Sequence, residues 1–547
     1  MKNYVKLAAF AALVVLASSC GASKAKQMQM ADNVKVKCTP AVLSLVGENI
    51  SADIVVTYPD GYFAPKAILA VSPVLVYEGG EVAAGEFKYQ GEKVKDNYKV
   101  VSSKGGTVKE KVNFKYVKGM EKSRLELRSK VLYGGKVYDV PAIKVADGVN
   151  TTAHLVSTDG LYSFKADEYQ DVIHEVTEAQ IMYDVNSANV KGSELRSESI
   201  MILKQALKDV ANDPRYTLKG TKVVAYASPE GGQSLNAKLS DKRGASAKQA
   251  WSQITTRKGQ KNVEVESRGQ DWEGFQEAIE KSNIDDKNLI LRVLSMYSDP
   301  AVREREIRNM SQVYTEINKS VFPDLRRARY IMEADYQNFT NEELEELAEK
   351  AIGTLDEEGL MRVAANTDNK ERKAALYKRT VDVFGSNKGA FNLAVLALNA
   401  GNNAEAEQWL AKITKDDADV LNAKGVCQLR KGNVAAAEAL FTQSGSDEAK
   451  ANLGAVAIIK GDYAKAASLS SYMKGSNKGL ALLLNGQVDQ AEKAMTCKCA
   501  KADYIRAIIA ARKGDKAGVK KYLDSACSKD AALKARSTKD VEFAKFI

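Results

Sequence analysis

At 547 residues the chain has room for three or four domains at about 150 residues each, and 45% apolar with 27% charged residues is the composition of folded protein. The formal charge of +10 is spread among acids and not gathered on one stripe, which argues against nucleic acid as a partner. The two histidines, His154 and His174, and the lack of GxSxG, HExxH and Walker sequences leave hydrolase triads, zincins and nucleotide sites little to work with.

The first residues form a secretory pattern. Lys2 and Lys6 precede an apolar run from Leu7 to Leu16, too short to span a bilayer, and Ala17-Ser18-Ser19 puts small residues before Cys20. Leu16-Ala17-Ser18-Ser19-Cys20 resembles a bacterial lipobox, with Ala17 where leucine is commoner. The resemblance implies a lipoprotein signal over 1–19, acylation of Cys20, and a permanent hold on the membrane, because several buried acyl chains far exceed the marginal hold of one. Residues 20–33 then read as a tether without an acid before Asp32. Surface-exported lipoproteins of Bacteroides-like bacteria usually carry acids there, so the expected location is the periplasmic face of the outer membrane. With Cys20 acylated, Cys38, Cys427, Cys497, Cys499 and Cys527 remain, an odd number that leaves a thiol unpaired in a monomer. Cys497-Lys498-Cys499 lacks the two-residue spacer of a zinc knuckle, and no metal or other cofactor is expected.

Residues 34–165 predict an antiparallel β-sandwich. Short alternating runs such as Ala52-Asp53-Ile54-Val55-Val56-Thr57 and Lys111-Val112-Asn113-Phe114-Lys115-Tyr116 are separated by turn signals such as Pro59-Asp60-Gly61 and Gly79-Gly80. Nothing there gathers polar residues into a nameable site.

Residues 177–338 mix strands and helices. Ile181 to Val185 and Lys222 to Ala227 read as strands, Gly192 to Ala211 as a helix, and Ser228-Pro229-Glu230-Gly231-Gly232 as a loop that opens a second helix. Within that helix Asn236-x-x-Leu239-Ser240-x-x-Arg243 resembles the signature of the OmpA-like domain, an α/β module that holds peptidoglycan. The resemblance implies that Arg243 grips a ligand carboxylate, a task suited to a guanidinium fork. The family's aspartate after the strand is Ser228 here, which supplies no charge, and Glu230 stands two residues on as its replacement. An alternative is that Asn236 and Arg243 only tie loop to helix. A long insertion follows the strand Asn262 to Glu266; it carries Trp272 and Phe275, which burial tendency assigns to a core, and the helix Asn288 to Leu294, before a closing strand from Ala328.

Residues 340–547 are helical and repetitive. Glycines at 401, 432, 461, 486 and 514 lie between amphipathic helices, and the fifth residue after each is small: Ala406, Ala437, Ala466, Ala491 and Val519. The pattern resembles shortened tetratricopeptide repeats, which implies a solenoid with a concave protein-binding face.

The order of these segments, with Tyr226-Ala227-Ser228-Pro229-Glu230-Gly231, Asp271-Trp272-Glu273-Gly274-Phe275 and a closing Val541-Glu542-Phe543-Ala544-Lys545, is similar to a family of envelope lipoproteins from Bacteroides and Porphyromonas. The expected function is a non-enzymatic envelope tether: acylated N-terminus in the membrane, OmpA-like domain toward peptidoglycan, repeats toward other envelope proteins. The alternatives are a cell-wall hydrolase or its activator, with Glu230 and Asp271 as acid and base, and surface adhesion or fimbrial anchoring.

Overall fold

The computed structural model describes residues 27–29, 33–255 and 262–547. The signal over 1–19 and the acylation position Cys20 lie outside the described residues, as does most of the 20–33 tether. The chain divides into two compact units, Met1–Lys165 with Val381–Ile547, and Ala166–Thr380.

In the first unit, β1 (Lys35–Thr39), β2 (Leu43–Val46), β3 (Asn49–Tyr58), β8 (Gly106–Lys115) and β11 (Val149–Asn150) form one sheet. The second contains β4 (Ile68–Tyr77), β5 (Gly80–Ala83), β6 (Phe87–Gln90), β7 (Lys99–Val100), β9 (Ser123–Tyr133) and β10 (Lys136–Asp147). Pairing is antiparallel except for the two-residue strands β7 and β11, which run parallel to β6 and β2. Period-two patterning is plain in β3, where Ile50, Ala52, Ile54, Val56 and Tyr58 are buried and their neighbours are not. Those side chains share one core with Leu69, Leu75, Leu125 and Val131 of the other sheet, each such burial contributing about 1.5–3 kcal/mol. Met28, inside the expected tether, lies in this core instead: its thioether accepts from the Ala64 amide at 3.3 Å and its carbonyl from Tyr62 Oη at 2.9 Å.

The helical part of this unit is a row of five hairpins. Their first helices are Asn387–Asn399, Ala418–Arg430, Asp447–Lys460, Gly475–Leu484 and Ala500–Lys513; their second are Asn403–Leu410, Val434–Ser444, Tyr463–Ser468, Val488–Ala494 and Lys516–Lys529. Glycines 401, 432, 461, 486 and 514 make the turns at φ between 75° and 81°, a region that costs a Cβ-bearing residue. Ala406, Ala437, Ala466 and Ala491 are wholly buried and Val519 nearly so, which lets the two helices of each hairpin close on one another.

Between sheet and hairpins, residues 151–165 depart from the expected sandwich. After a short 3-10 turn, Thr152–Leu155, the chain forms no further regular element through Lys165. It is not a strand because several of its main-chain groups bond to side chains of the hairpins, as described below.

The second unit is built on a four-stranded sheet in the order β12 (Val172–Met182), β15 (Arg327–Gln337), β13 (Tyr216–Ala227), β14 (Glu264–Gln270), antiparallel except for the β13–β14 pair. Helices Glu198–Asn212 and Gln233–Ile254 cover one face, with Leu203, Leu207, Ala247 and Trp251 against Ile181, Val223 and Tyr330. Between β14 and β15 the insertion forms five helices around a core of its own, where Phe275 is fully buried and Trp272 packs at the margin. Helices Asn341–Lys350 and Glu357–Asn366 belong to this unit, although composition places the change at 340. Arg215 pairs with Glu343 at 2.6 Å, and Arg362 reaches Asp167 at 3.3 Å and the Tyr169 carbonyl at 3.0 Å.

Candidate functional site

The first helices of the hairpins carry an asparagine ladder. Asn392, Asn422, Asn452 and Asn477 occupy the first helices of four successive hairpins, nine or ten residues before the turn glycine. A primary amide offers one acceptor and two donors, so it can pair with both main-chain groups of one residue in an extended segment. Three of the four do so. Asn477 accepts from the Ser157 amide at 2.7 Å and donates to its carbonyl at 2.8 Å. Asn452 does the same with Leu161, at 2.7 and 2.9 Å, and Asn392 with Lys165, at 2.8 and 3.1 Å. Asn422 adds a donor to the Leu161 carbonyl at 2.9 Å and accepts from Asn452 at 2.8 Å. Every fourth residue of the segment is therefore clasped by its backbone.

Side chains add direction. Arg430 donates to the Asp159 carbonyl from Nε at 3.1 Å and to the Leu398 carbonyl from Nη1 at 2.9 Å, while its guanidinium lies 5.8 Å from the Tyr162 ring. Lys165 pairs with Asp417 and, at 3.3 Å, with Asp419. Gly160 passes so close to the Ala418–Arg430 helix that a Cβ would stand 2.5 Å from Val426, and its φ is +80°. The ladder is a site that the sequence reading missed; the recurrence of Asn nine or ten residues before four of the five turn glycines was its signal.

The second cluster lies in the α/β unit, where β13 and β14 end. Asn236, in the first turn of the Gln233–Ile254 helix, donates to the carbonyls of Ser228 at 3.0 Å and Gly231 at 2.6 Å, closing the loop between them. Ser228 Oγ donates to Glu230 at 2.8 Å. Arg243 is 0% exposed and gives its three nitrogens to the carbonyls of Ser187, Tyr226 and Asp184 at 2.9, 2.9 and 3.1 Å, with its plane 5.0 Å from the Tyr183 ring. Burial pulls its pKa down to about 10. All four candidate residues are thus brought into one neighbourhood, with Arg243 held by main chain beneath the surface. Glu230 and Asp271, the candidate acid and base, are each gripped by a guanidinium. Arg326 meets both oxygens of Glu230 at 2.9 and 3.0 Å; Arg327 meets one oxygen of Asp271 at 3.0 and 2.8 Å, while the other caps the next helix at Gly274. Arg326 and Arg327 were not anticipated from sequence.

What the fold and these contacts define is a two-unit protein with a β-domain, an α/β domain and a row of helical hairpins that holds residues 157–165 by their backbone. No protein-family profile matches the chain, and no curated protein is similar to it at a significant level. Among solved structures, a tetratricopeptide repeat protein from Parabacteroides merdae is 13% identical at a TM-score of 0.29, over 36% of this chain and 88% of that one. The APC/C hetero-tetramer Cut9–Hcn1 is 11% identical at a TM-score of 0.30, over 56% of this chain and 77% of the chain matched. Scores of this size carry no functional argument, and the repeat assignment rests on the hairpins of this chain.

Proposed function

We propose that the protein is a non-catalytic scaffold of the bacterial envelope, held to the membrane through an acylated Cys20, whose hairpins clasp extended polypeptide and whose α/β domain faces the cell wall. The observation that carries the scaffold reading is the asparagine ladder. Backbone-directed amides at a regular interval hold a chain without demanding particular side chains, which is the chemistry of a peptide-binding groove. In the resting protein that groove is filled by residues 157–165. A partner must present an extended segment and displace them against the millimolar effective concentration typical of a short tether. The non-catalytic part rests on the arginine pairing of Glu230 and Asp271, which leaves neither carboxylate free to act as acid or base. The wall-facing part rests on the strand, loop and helix that set Asn236 and Arg243 together behind Ser228.

The groove is tested with a labelled peptide of sequence 152–165 and a variant carrying Ser157→Pro and Leu161→Pro, which deletes two of the donated amides. The variant should bind the peptide in trans while the parent protein does not. A folded variant that leaves the peptide free up to millimolar concentration rejects the groove as a polypeptide clasp. Palmitate labelling that survives Cys20→Ala rejects the anchor. Sedimentation with peptidoglycan sacculi tests the wall contact; Arg243→Ala is read beside its unfolding midpoint, since Arg243 also holds three carbonyls.

A further inference from the structure

The Cys497-Lys498-Cys499 segment, set aside as a metal motif on spacing, is brought together by the fold in a different way. The two sulfurs lie 3.3 Å apart, Cys499 exposed and Cys497 half-buried. Cys499 occupies the N-cap of the Ala500–Lys513 helix, where no side chain caps the first turn, so its sulfur lies at the positive end of fourteen aligned peptide units. The loop that carries the pair is pinned along its backbone. Arg506 donates to the carbonyls of Met495 at 2.7 Å and Cys497 at 2.6 Å, and Lys529 donates to that of Lys498 at 2.8 Å. Both cations are set by one buried carboxylate, Asp503, which also accepts from Ser525 at 2.6 Å. Cys497 and Cys499 line an open cavity of about 350 Å³ together with Gly160, Leu161, Asn452 and Asn477, a volume within the range of small-ligand sites.

We infer that Cys497 and Cys499 form a thiol–disulfide exchange site that takes a disulfide-bonded small molecule or peptide as its co-substrate. The Cys499 thiolate attacks one sulfur of the incoming R–S–S–R; the bond between the two incoming sulfurs breaks, and the departing thiolate takes a proton to become R–SH. Cys497 loses its proton to solvent and attacks the Cys499 sulfur of the mixed disulfide, releasing the second R–S⁻, which is protonated in turn. The two protein thiols are oxidised to one disulfide and the incoming disulfide is reduced to two thiols. Burial and the hydrogen bond with Cys499 push the Cys497 thiol up, which keeps it protonated and leaves the first attack to Cys499. Cys427 takes no part: it is buried among the hairpins, and burial pushes its thiol up to about 11.

Trypsin supplies a direct readout, because Lys498 separates the two cysteines. The whole reduced protein is equilibrated with glutathione disulfide, its remaining thiols are alkylated, and it is denatured and digested. The peptides Ala494–Lys498 and Cys499–Lys501 should be recovered joined by a disulfide, and separate after dithiothreitol. Cys499→Ser should slow thiol loss at this segment at least about tenfold, and Cys497→Ser should halt at glutathione on Cys499. A second arm with a disulfide-bonded peptide distinguishes co-substrates: exchange with it alone assigns a polypeptide, and exchange with both assigns any accessible disulfide. Two alkylated, unlinked peptides under conditions that oxidise free dithiothreitol overturn the inference, as does a link from either cysteine to Cys527 or Cys38.

Discussion

Arg243 is read two ways from sequence, as a ligand grip and as a tie between loop and helix, and the tie is visible in its contacts. A guanidinium in the OmpA-like pattern suggests a ligand grip; in place, three of its five N–H donors go to the Ser187, Tyr226 and Asp184 carbonyls. Arg243→Met should cost at least about 3 kcal/mol, since it strips charge-assisted bonds from buried carbonyls, and urea unfolding followed through the adjacent core residue Trp251 measures it. Gly160 carries a steric prediction. Gly160→Ala places a methyl against Val426 at a left-handed backbone position and should destabilise the first unit by about 1–3 kcal/mol. A double-mutant cycle with Val426→Ala should recover part of that loss, and additive effects would place the cost in the backbone instead. At this scale the Ser228, Glu230, Asn236 and Arg243 neighbourhood was legible because all four lie within one loop and the helix after it. The arginines that neutralise the acids were not: Arg326 is 96 residues from Glu230 across an insertion, and no local pattern links them.

Among the elements, the hairpins were the most legible part of the molecule. A turn that needs φ > 0 selects glycine and a close helix contact selects alanine, and both demands are local enough to recur in sequence. The ladder escaped notice because asparagine serves caps, turns and solvent equally well, and because residues 157–165, which it holds, have neither strand nor helix periodicity. Hydrogen exchange resolves it: the amides of Ser157, Leu161 and Lys165 should be the slowest of the 156–165 segment, and Asn452→Ala should release Leu161 while leaving Lys165 protected. Asp503 ties the last hairpin together. Burial would raise its carboxyl, but bonds from Lys529, Ser525 and Arg506 hold it below the usual carboxylate range. A depressed folded pKa contributes stability above the unfolded value near about 3.9 and loses it as pH falls through the folded one. Acid should therefore loosen the Ala500–Lys513 and Lys516–Lys529 hairpin, and Asp503→Asn should flatten that acid limb of the thermal midpoint.

For the molecule as a whole, the terminal motif around Glu542 explains why a β-domain and distant helices form one unit. Glu542 accepts from Asn150 at 2.7 Å, Thr152 at 3.3 Å and Arg512 at 2.6 Å, while Arg536 donates to the Thr151 carbonyl at 2.8 Å. Glu542→Ala leaves those donors without their shared acceptor. The parent should melt coincidently at two circular dichroism wavelengths, and the variant should show separate sheet and helix transitions. The sequence shows the Val541 to Lys545 motif but not its partner, because the two sides are about 390 residues apart.

The same separation sets a timetable. Ser157, Leu161 and Lys165 bond to asparagines 320, 291 and 227 residues further along the chain. At a translation rate of about 5–20 residues per second, the first of these waits about 15–60 s for its partner to be made. Throughout that interval residues 156–165 lack the amide partners of their main chain and follow a sheet that is already complete in sequence. The nascent protein therefore passes through a stage in which its own clasp does not yet exist, and the segment is closed in the order Lys165, Leu161, Ser157 as the hairpins emerge.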